Sequence, residues 1–146
     1  MSSVDVYTLL EESVALAQAS LQKSQSFSPF YMLLTTHNRI EKRECDLDDT
    51  KEGYAKLEEM LRERVQKGDV EVVVLVVDTT MPQRFHQAQP HSIRLHVEER
   101  AMVGEKIGAR YLYVPYQLLK QEGSDGYTVV LEAPIPVGFI AEYLSC

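Results

Sequence analysis

The sequence predicts one α+β domain spanning residues 1–146, with two helices and a mostly antiparallel sheet of about six strands, in the order α-β-β-α-β-β-β-β. Three observations support this fold class. Seven of the eight residues from 70 to 77 are aliphatic, and six are valine, which favours a strand buried on both faces. Two segments carry apolar residues at helical spacing. Four strand-like segments then follow the second helix with no helix between them, which indicates an antiparallel sheet.

The first predicted helix covers about residues 4–22. Ser2 or Ser3 can cap it, and Asp5 lies in its positive first turn. Apolar residues recur along it at spacings of three and four, which is typical of an amphipathic helix packed on a core: Val6, Leu9, Leu10, Val14, Ala17 and Leu21.

A strand over residues 30–36, a turn at His37 and Asn38, and a return strand over residues 39–45 form a predicted hairpin. The return strand is mostly charged, as expected of a sheet edge. The second helix follows, with Asp49 and Glu52 approximating a capping box and Gly68 ending it. Its apolar face consists of Tyr54, Leu57, Leu61 and Val65.

We expect both helices to pack on one face of the sheet and cover the strand over residues 70–77. That strand is apolar on its other face as well. The proline-rich tail, the loop over residues 79–91 or a second subunit could cover this second face.

Residues 92–99 alternate between apolar and polar side chains, which predicts a half-exposed antiparallel strand. Residues 101–109 are predicted to form a turn, and residues 110–116 a strand that ends around Pro115. A short strand over residues 127–132 follows. The extended, proline-rich end of the chain is predicted to close with a helical turn or a last strand.

The chain is acidic, with 15 basic and 22 acidic residues and a net charge of −7. This charge disfavours nucleic acid and anionic membranes as partners, because residues 39–43 are the only basic patch and carry their own acids. We find no signal-peptide pattern, no membrane-spanning apolar run and no Cys-x-x-C motif at Cys45 or Cys146. A cytoplasmic protein without a cofactor is expected.

His86, His91 and His96 are spaced by five residues, and Glu98 follows two residues later. Imidazole and carboxylate ligands suit zinc or iron, so these four side chains are candidates for a metal site. Their spacing matches no established ligand motif, and exposed histidines in a polar loop and on a solvated face are the alternative. Neither a nucleophile motif nor a phosphate-binding loop is present, and the acidic neighbours of Cys45 disfavour its thiolate.

Two further groups of residues are candidates for a ligand site or an interface. Asp78 ends the valine-rich strand, where Glu98, Arg94 or His96 of the next strand could approach it. Tyrosines combine an apolar ring with a polar hydroxyl, which suits pockets and subunit interfaces, although ordinary sheet packing is the alternative. The aromatic group consists of Phe85, Tyr111, Tyr113, Tyr116 and Tyr127, of which the first four are the candidates for a ligand site or an interface.

The alternating segment over residues 92–100 and the later Tyr113–Tyr116 segment, which reads Tyr-Val-Pro-Tyr, resemble small bacterial α+β proteins to which no activity is assigned. The resemblance covers about residues 28–140 and implies no catalytic residues. Members of that group often have a short Asp-Gly turn where this chain has the longer segment over residues 101–109.

Three functions fit these observations. The first is a non-enzymatic protein-interaction module, a homodimer or an acidic antagonist of a basic partner, supported by the two-sided apolar strand and the missing catalytic motifs. The second is a small-molecule binding module with a tyrosine-lined pocket. The third is a metal-dependent enzyme that uses His86, His91, His96 and Glu98. Enzymatic activity is the less favoured expectation.

Overall fold

The computed structural model describes residues 5–44, 50–80, 91–102, 109–123, 126–139 and 143–144. Over these residues the predicted α+β class and the antiparallel sheet are confirmed, but the sheet has seven strands instead of about six. The elements are α1 (Val6–Ser24), β1 (Phe30–Thr35), β2 (Ile40–Glu44), α2 (Thr50–Gln66), β3 (Val70–Thr80), β4 (His91–Glu99), β5 (Ala109–Lys120), β6 (Tyr127–Leu131) and β7 (Ile135–Phe139).

The strands lie in the order β2-β1-β3-β4-β5-β6, and β7 pairs with β5. Every pairing is antiparallel. Strand β5 does not end around Pro115 as predicted but continues to Lys120. Along one edge, residues 109–113 of β5 pair with β7 and residues 116–120 pair with β6. Pro115 lies between these two blocks, where its missing N–H breaks no ladder bond on that edge.

The ends of the helices follow from local side-chain and backbone chemistry. Asp5, rather than Ser2 or Ser3, caps α1, because its Oδ1 accepts the backbone N–H of Thr8 at 2.9 Å. Gly68 ends α2 with φ +90°, as predicted. Ser2, Ser3 and the predicted cap Asp49 fall outside the described residues. Across the described segments, no helix is long and apolar enough to span a bilayer.

The two helices lie on opposite faces of the sheet, so the prediction that they share a face was wrong. Successive strand side chains point to opposite faces. One set of alternate β3 residues, Val72, Val74 and Val76, packs in the core that includes α1. The other set, Val73 and Leu75, packs with α2. Because both faces of β3 are apolar, each requires its own helix.

Residues 143–144 complete the cover of the second face. Tyr143 and Leu144 belong to the same buried cluster as Leu57 and Leu61 of α2. Leu75, which lies in that cluster, is 0 % exposed within a single chain. The valine-rich strand is therefore buried on both sides without a second subunit.

Strand β4 was predicted to be half-exposed, and this was wrong because both of its faces are covered. Ile93, Leu95 and Val97 pack on the side of α1. On the other side, His96 is 2 % exposed and Glu98 is 0 % exposed. The alternation of apolar and polar residues is real, but the polar residues lie beneath α2 and residues 143–144 rather than in water.

Candidate functional site

The β4 side chains that face α2 form an unbroken polar row: Ser92, Arg94, His96 and Glu98. Strand β5 places Tyr113 opposite Arg94 and Tyr111 opposite His96, in the same layer. Burial of polar groups costs free energy unless they find hydrogen-bond partners. The hydrogen-bond partners of these four side chains therefore show which of them stabilise the fold.

Glu98 is fully satisfied by hydrogen bonds. Its Oε1 accepts the backbone N–H groups of Tyr143 at 2.9 Å and Leu144 at 3.0 Å. Its Oε2 lies 2.5 Å from His96 Nε2. Both carboxylate oxygens are thus engaged, and Glu98 fixes residues 143–144 on the sheet.

Tyr143 closes this end of the polar row. Its ring centre lies 5.1 Å from that of His96, and the guanidinium of Arg62 lies 4.9 Å above the ring. Its hydroxyl donates to Glu58 at 2.8 Å. Burial raises the pKa of Tyr143, and its bond to Glu58 raises it further, so the hydroxyl keeps its proton. The Glu98 end of the row is a satisfied structural network.

Arg94 has a different environment. Its guanidinium lies 4.7 Å from the ring centre of Tyr111 and donates to the hydroxyl of Tyr54 at 3.2 Å. Its Nε is buried and has no hydrogen-bond partner. Among the described residues, no carboxylate forms an ion pair with it. Within the described part of the chain, this half-buried arginine therefore has no carboxylate at ion-pairing distance.

Ser92 is the next residue on the same face. It is 0 % exposed, and its Oγ also has no partner. Same-face neighbours in a strand are about 6.6 Å apart, so the unpartnered groups of Ser92 and Arg94 lie side by side on the face toward α2. Native proteins leave few buried polar groups unpaired, and each such group requires an explanation.

Tyr54 of α2 adds a third polar group to this end. Burial raises its pKa, although the charge of Arg94 opposes the shift, so the phenol is protonated at neutral pH. Its oxygen accepts from Arg94, and its proton has no acceptor among the residues that the structure describes. The unsatisfied end of the polar row thus presents donors from Ser92, Arg94 and Tyr54.

Asp78 and Tyr116 lie on the α1 face, so the sheet separates them from Arg94 and His96. The hydroxyl of Tyr116 donates to Asp78 at 2.7 Å, and the ring of His91 stacks on Tyr116 with centres 5.9 Å apart. Burial raises the pKa of Asp78, although the Tyr116 hydrogen bond opposes this.

Of the four predicted metal candidates, the structure brings His96 and Glu98 together and places His91 on the opposite face. His86 lies outside the described residues, as do Phe85 and Cys45. Within the described ranges, no group of three or more His, Cys, Asp or Glu side chains is arranged to hold a metal ion.

The candidates Arg94, His96, Tyr111 and Tyr113 share the polar layer. Sequence reasoning did not single out Ser92, Tyr54 or Tyr143. Ser92 lies two residues before Arg94 in the alternating strand, and Tyr54 carries a hydroxyl within the apolar face of α2. Both positions could therefore have been identified from the sequence. No family model, curated protein or solved structure matches this chain.

Proposed function

We propose that this protein is a small-molecule binding module that takes an organic carboxylate at Arg94. The observation that carries the proposal is the half-buried guanidinium of Arg94, which forms no ion pair among the described residues, beside the unpartnered Oγ of Ser92. Tyr54 and Tyr111 contact the same guanidinium. This is the tyrosine-lined binding module that the sequence offered as an alternative.

The chemistry of the site favours a carboxylate. Arginine binds carboxylates through paired, charge-assisted hydrogen bonds, and partial burial strengthens them. Ser92 and Tyr54 supply further donors to the same group. A phosphate dianion would call for a second cation, but Arg62 of α2 lies over Tyr143 at the other end of the polar row.

Binding is proposed rather than catalysis because both carboxylate oxygens of Glu98 are already engaged. It is the carboxylate of the polar row, and both of its oxygens accept hydrogen bonds from residues 143–144 or contact His96. A general base must be able to reach a proton of the substrate. Glu98 instead serves the packing of residues 143–144.

The test is thermal and urea unfolding in the presence of a panel of carboxylates, with acetate and benzoate as the simplest aliphatic and aromatic probes, and with inorganic phosphate for comparison. A ligand at 100 times its Kd adds about 2.7 kcal/mol to the free energy of unfolding. We expect a saturable stabilisation by a carboxylate that exceeds the effect of phosphate.

The variant Arg94→Gln should lose this stabilisation while staying folded. Arg43→Gln is the matched control, because Arg43 is an exposed arginine on the edge strand β2. Its response should equal that of the unmodified protein. The proposal is overturned if no carboxylate stabilises the protein, or if Arg94→Gln responds as the control does.

Self-association, the first function that the sequence suggested, no longer follows from the valine-rich strand, because α2 and residues 143–144 cover it. The exposed edge of strand β6 is a separate reason to expect self-association.

A further inference from the structure

The edge strands of the described sheet differ in composition. Strand β6 is last in the strand order, and no described strand pairs with its outer edge. At the other edge, β2 carries four consecutive charged residues, 41–44, which discourage pairing with another chain. Strand β6 reads Tyr-Thr-Val-Val-Leu, with no charge and no proline. Strand β7 is a further edge, because it pairs only with β5 among the described strands, but it contains Pro136, which cannot donate to a strand ladder. Of the described edge strands, β6 therefore has the composition best suited to pairing with another chain.

Exposed apolar side chains lie beside the β6 edge. Leu119 of β5 is 44 % exposed and Val130 of β6 is 41 % exposed. The register pairs Leu119 with Thr128 and Gln117 with Val130, so Leu119 and Val130 lie on the same face. The opposite face of this hairpin packs against α1 through Val129. The hairpin thus combines an unpaired backbone edge with an uncovered apolar strip.

We propose that a second copy of this chain pairs with β6 in an antiparallel arrangement, which joins the two sheets across a two-fold axis. Charge favours this occupant. Each copy carries a net charge of −7, so contact between two copies meets the least repulsion through an uncharged strip such as β6. A basic partner would be drawn to the acidic surface instead.

Symmetry also favours β6 against β6. Pairing of β6 with β2 would set an uncharged strand against four charges, and its head-to-tail contact would repeat into a ring or an open filament. Pairing of β6 with itself closes as a dimer. With Val129 on the axis, Thr128 of each copy faces the partner's Val130, and the two Leu119 side chains flank this pair.

The expected affinity is modest. Five residues of strand and two apolar side chains on each copy fall short of the roughly 1,200 Å² that a standard interface buries. We therefore expect a dimer that forms at micromolar to millimolar concentration. Added salt should strengthen it, because screening reduces the repulsion between two acidic copies.

Sedimentation equilibrium over a wide concentration range tests the proposal on three proteins: the unmodified chain, Val130→Lys and Tyr7→Lys. Tyr7 is 69 % exposed and lies on α1, which packs on the Val129 face of β6, so its substitution adds the same charge on the opposite side of the sheet from Val130. The unmodified chain and Tyr7→Lys should rise from the monomer mass to twice that mass, and Val130→Lys should remain a monomer.

Hydrogen exchange provides a second readout that does not depend on variants. Backbone amides of β6 should gain protection as the concentration of the unmodified protein rises, whereas those of the charged edge β2 should not. A monomer at every concentration overturns the proposal, as does a Val130→Lys variant that dimerises like Tyr7→Lys. Carboxylate binding at Arg94 is independent of either result.

Discussion

Glu98 accepts the backbone N–H of Leu144 at 3.0 Å, which ties residue 144 to a strand 46 residues earlier in the chain. The same oxygen accepts the N–H of Tyr143. This contact explains why a polar residue lies in the core, since it pairs backbone groups that would otherwise be buried without partners. It also explains how the second face of β3 is covered.

Replacement of Glu98 by glutamine should destabilise the fold. Glutamine has one oxygen and one NH₂ group, so the NH₂ must face either the two backbone N–H groups or His96 Nε2, which can accept from it only when Nε2 carries no proton. A buried donor left without an acceptor costs about 1–3 kcal/mol. Urea unfolding should show a loss of this size. Glu99→Gln is the control, because Glu99 makes only a 3.8 Å ion pair with Arg110, and its loss should be below about 0.5 kcal/mol. Equal effects of the two substitutions would contradict the role of Glu98.

The hydroxyl of Tyr143 should contribute separately from its ring. Tyr143→Phe keeps the buried ring and removes the hydrogen bond to Glu58, so the free energy of unfolding should fall by about 1 kcal/mol. Tyr127→Phe serves as the control, because the half-buried Tyr127 hydroxyl has no partner among the described residues. Denaturant unfolding of both variants measures the difference. A neutral Tyr143→Phe would show that the Glu58 bond adds nothing.

Ser92→Ala should separate stability from binding. A hydroxyl buried without a hydrogen bond costs about 1–3 kcal/mol, so its removal should leave the fold as stable or more stable. The same substitution removes one donor from the carboxylate site, and the affinity for the carboxylate identified in the unfolding screen should fall. Urea unfolding and calorimetric titration measure the two effects. A clear loss of stability would mean that the hydroxyl is paired.

Asp78 should make the stability depend on pH. Burial raises its pKa in the folded protein above the ordinary value of 3.8, although the Tyr116 hydrogen bond opposes this. The folded state then holds the proton to higher pH than the unfolded chain does. The contribution of Asp78 to stability is present in full below pH 3.8 and is lost as the pH rises through the folded pKa.

Asp78→Asn removes this titration and can still accept from Tyr116. The stability of Asp78→Asn relative to the unmodified protein should therefore increase from acid to neutral pH. Urea unfolding at a series of pH values provides the measurement. A difference that stays constant over this range would contradict a raised pKa.

Local sequence patterns predicted the fold class, because helical spacing, strand composition and turn residues are properties of short segments. Gly68 and Asn38 take the positive φ values, +90° and 62°, that their positions suggested. The segments that pack on each face of the sheet could not be predicted in this way. The alternation in β4 shows which side chains share a face, but not that Tyr143 and Leu144 return to cover the polar one.

The same limit applies to the site. The sequence named Arg94 and Tyr111 as candidates, and they are in contact. It also named Asp78 and Tyr116, which contact each other on the opposite face of the sheet. The sequence could not separate these two pairs, because the sequence of one strand does not show its register with its neighbours. Tyr54 was assigned to the apolar face of α2, and only the position of that helix over β4 shows that it meets Arg94.

The central claim is that Arg94 binds a carboxylate, and the Nε–H resonance of its side chain in an ¹⁵N-labelled sample tests it most directly. During titration with the carboxylate that stabilises the protein best, this resonance should shift and reach saturation, together with the backbone amides of Ser92 and Tyr111. An Arg94 resonance that does not move, while exposed arginines such as Arg43 shift without saturation, would contradict the claim.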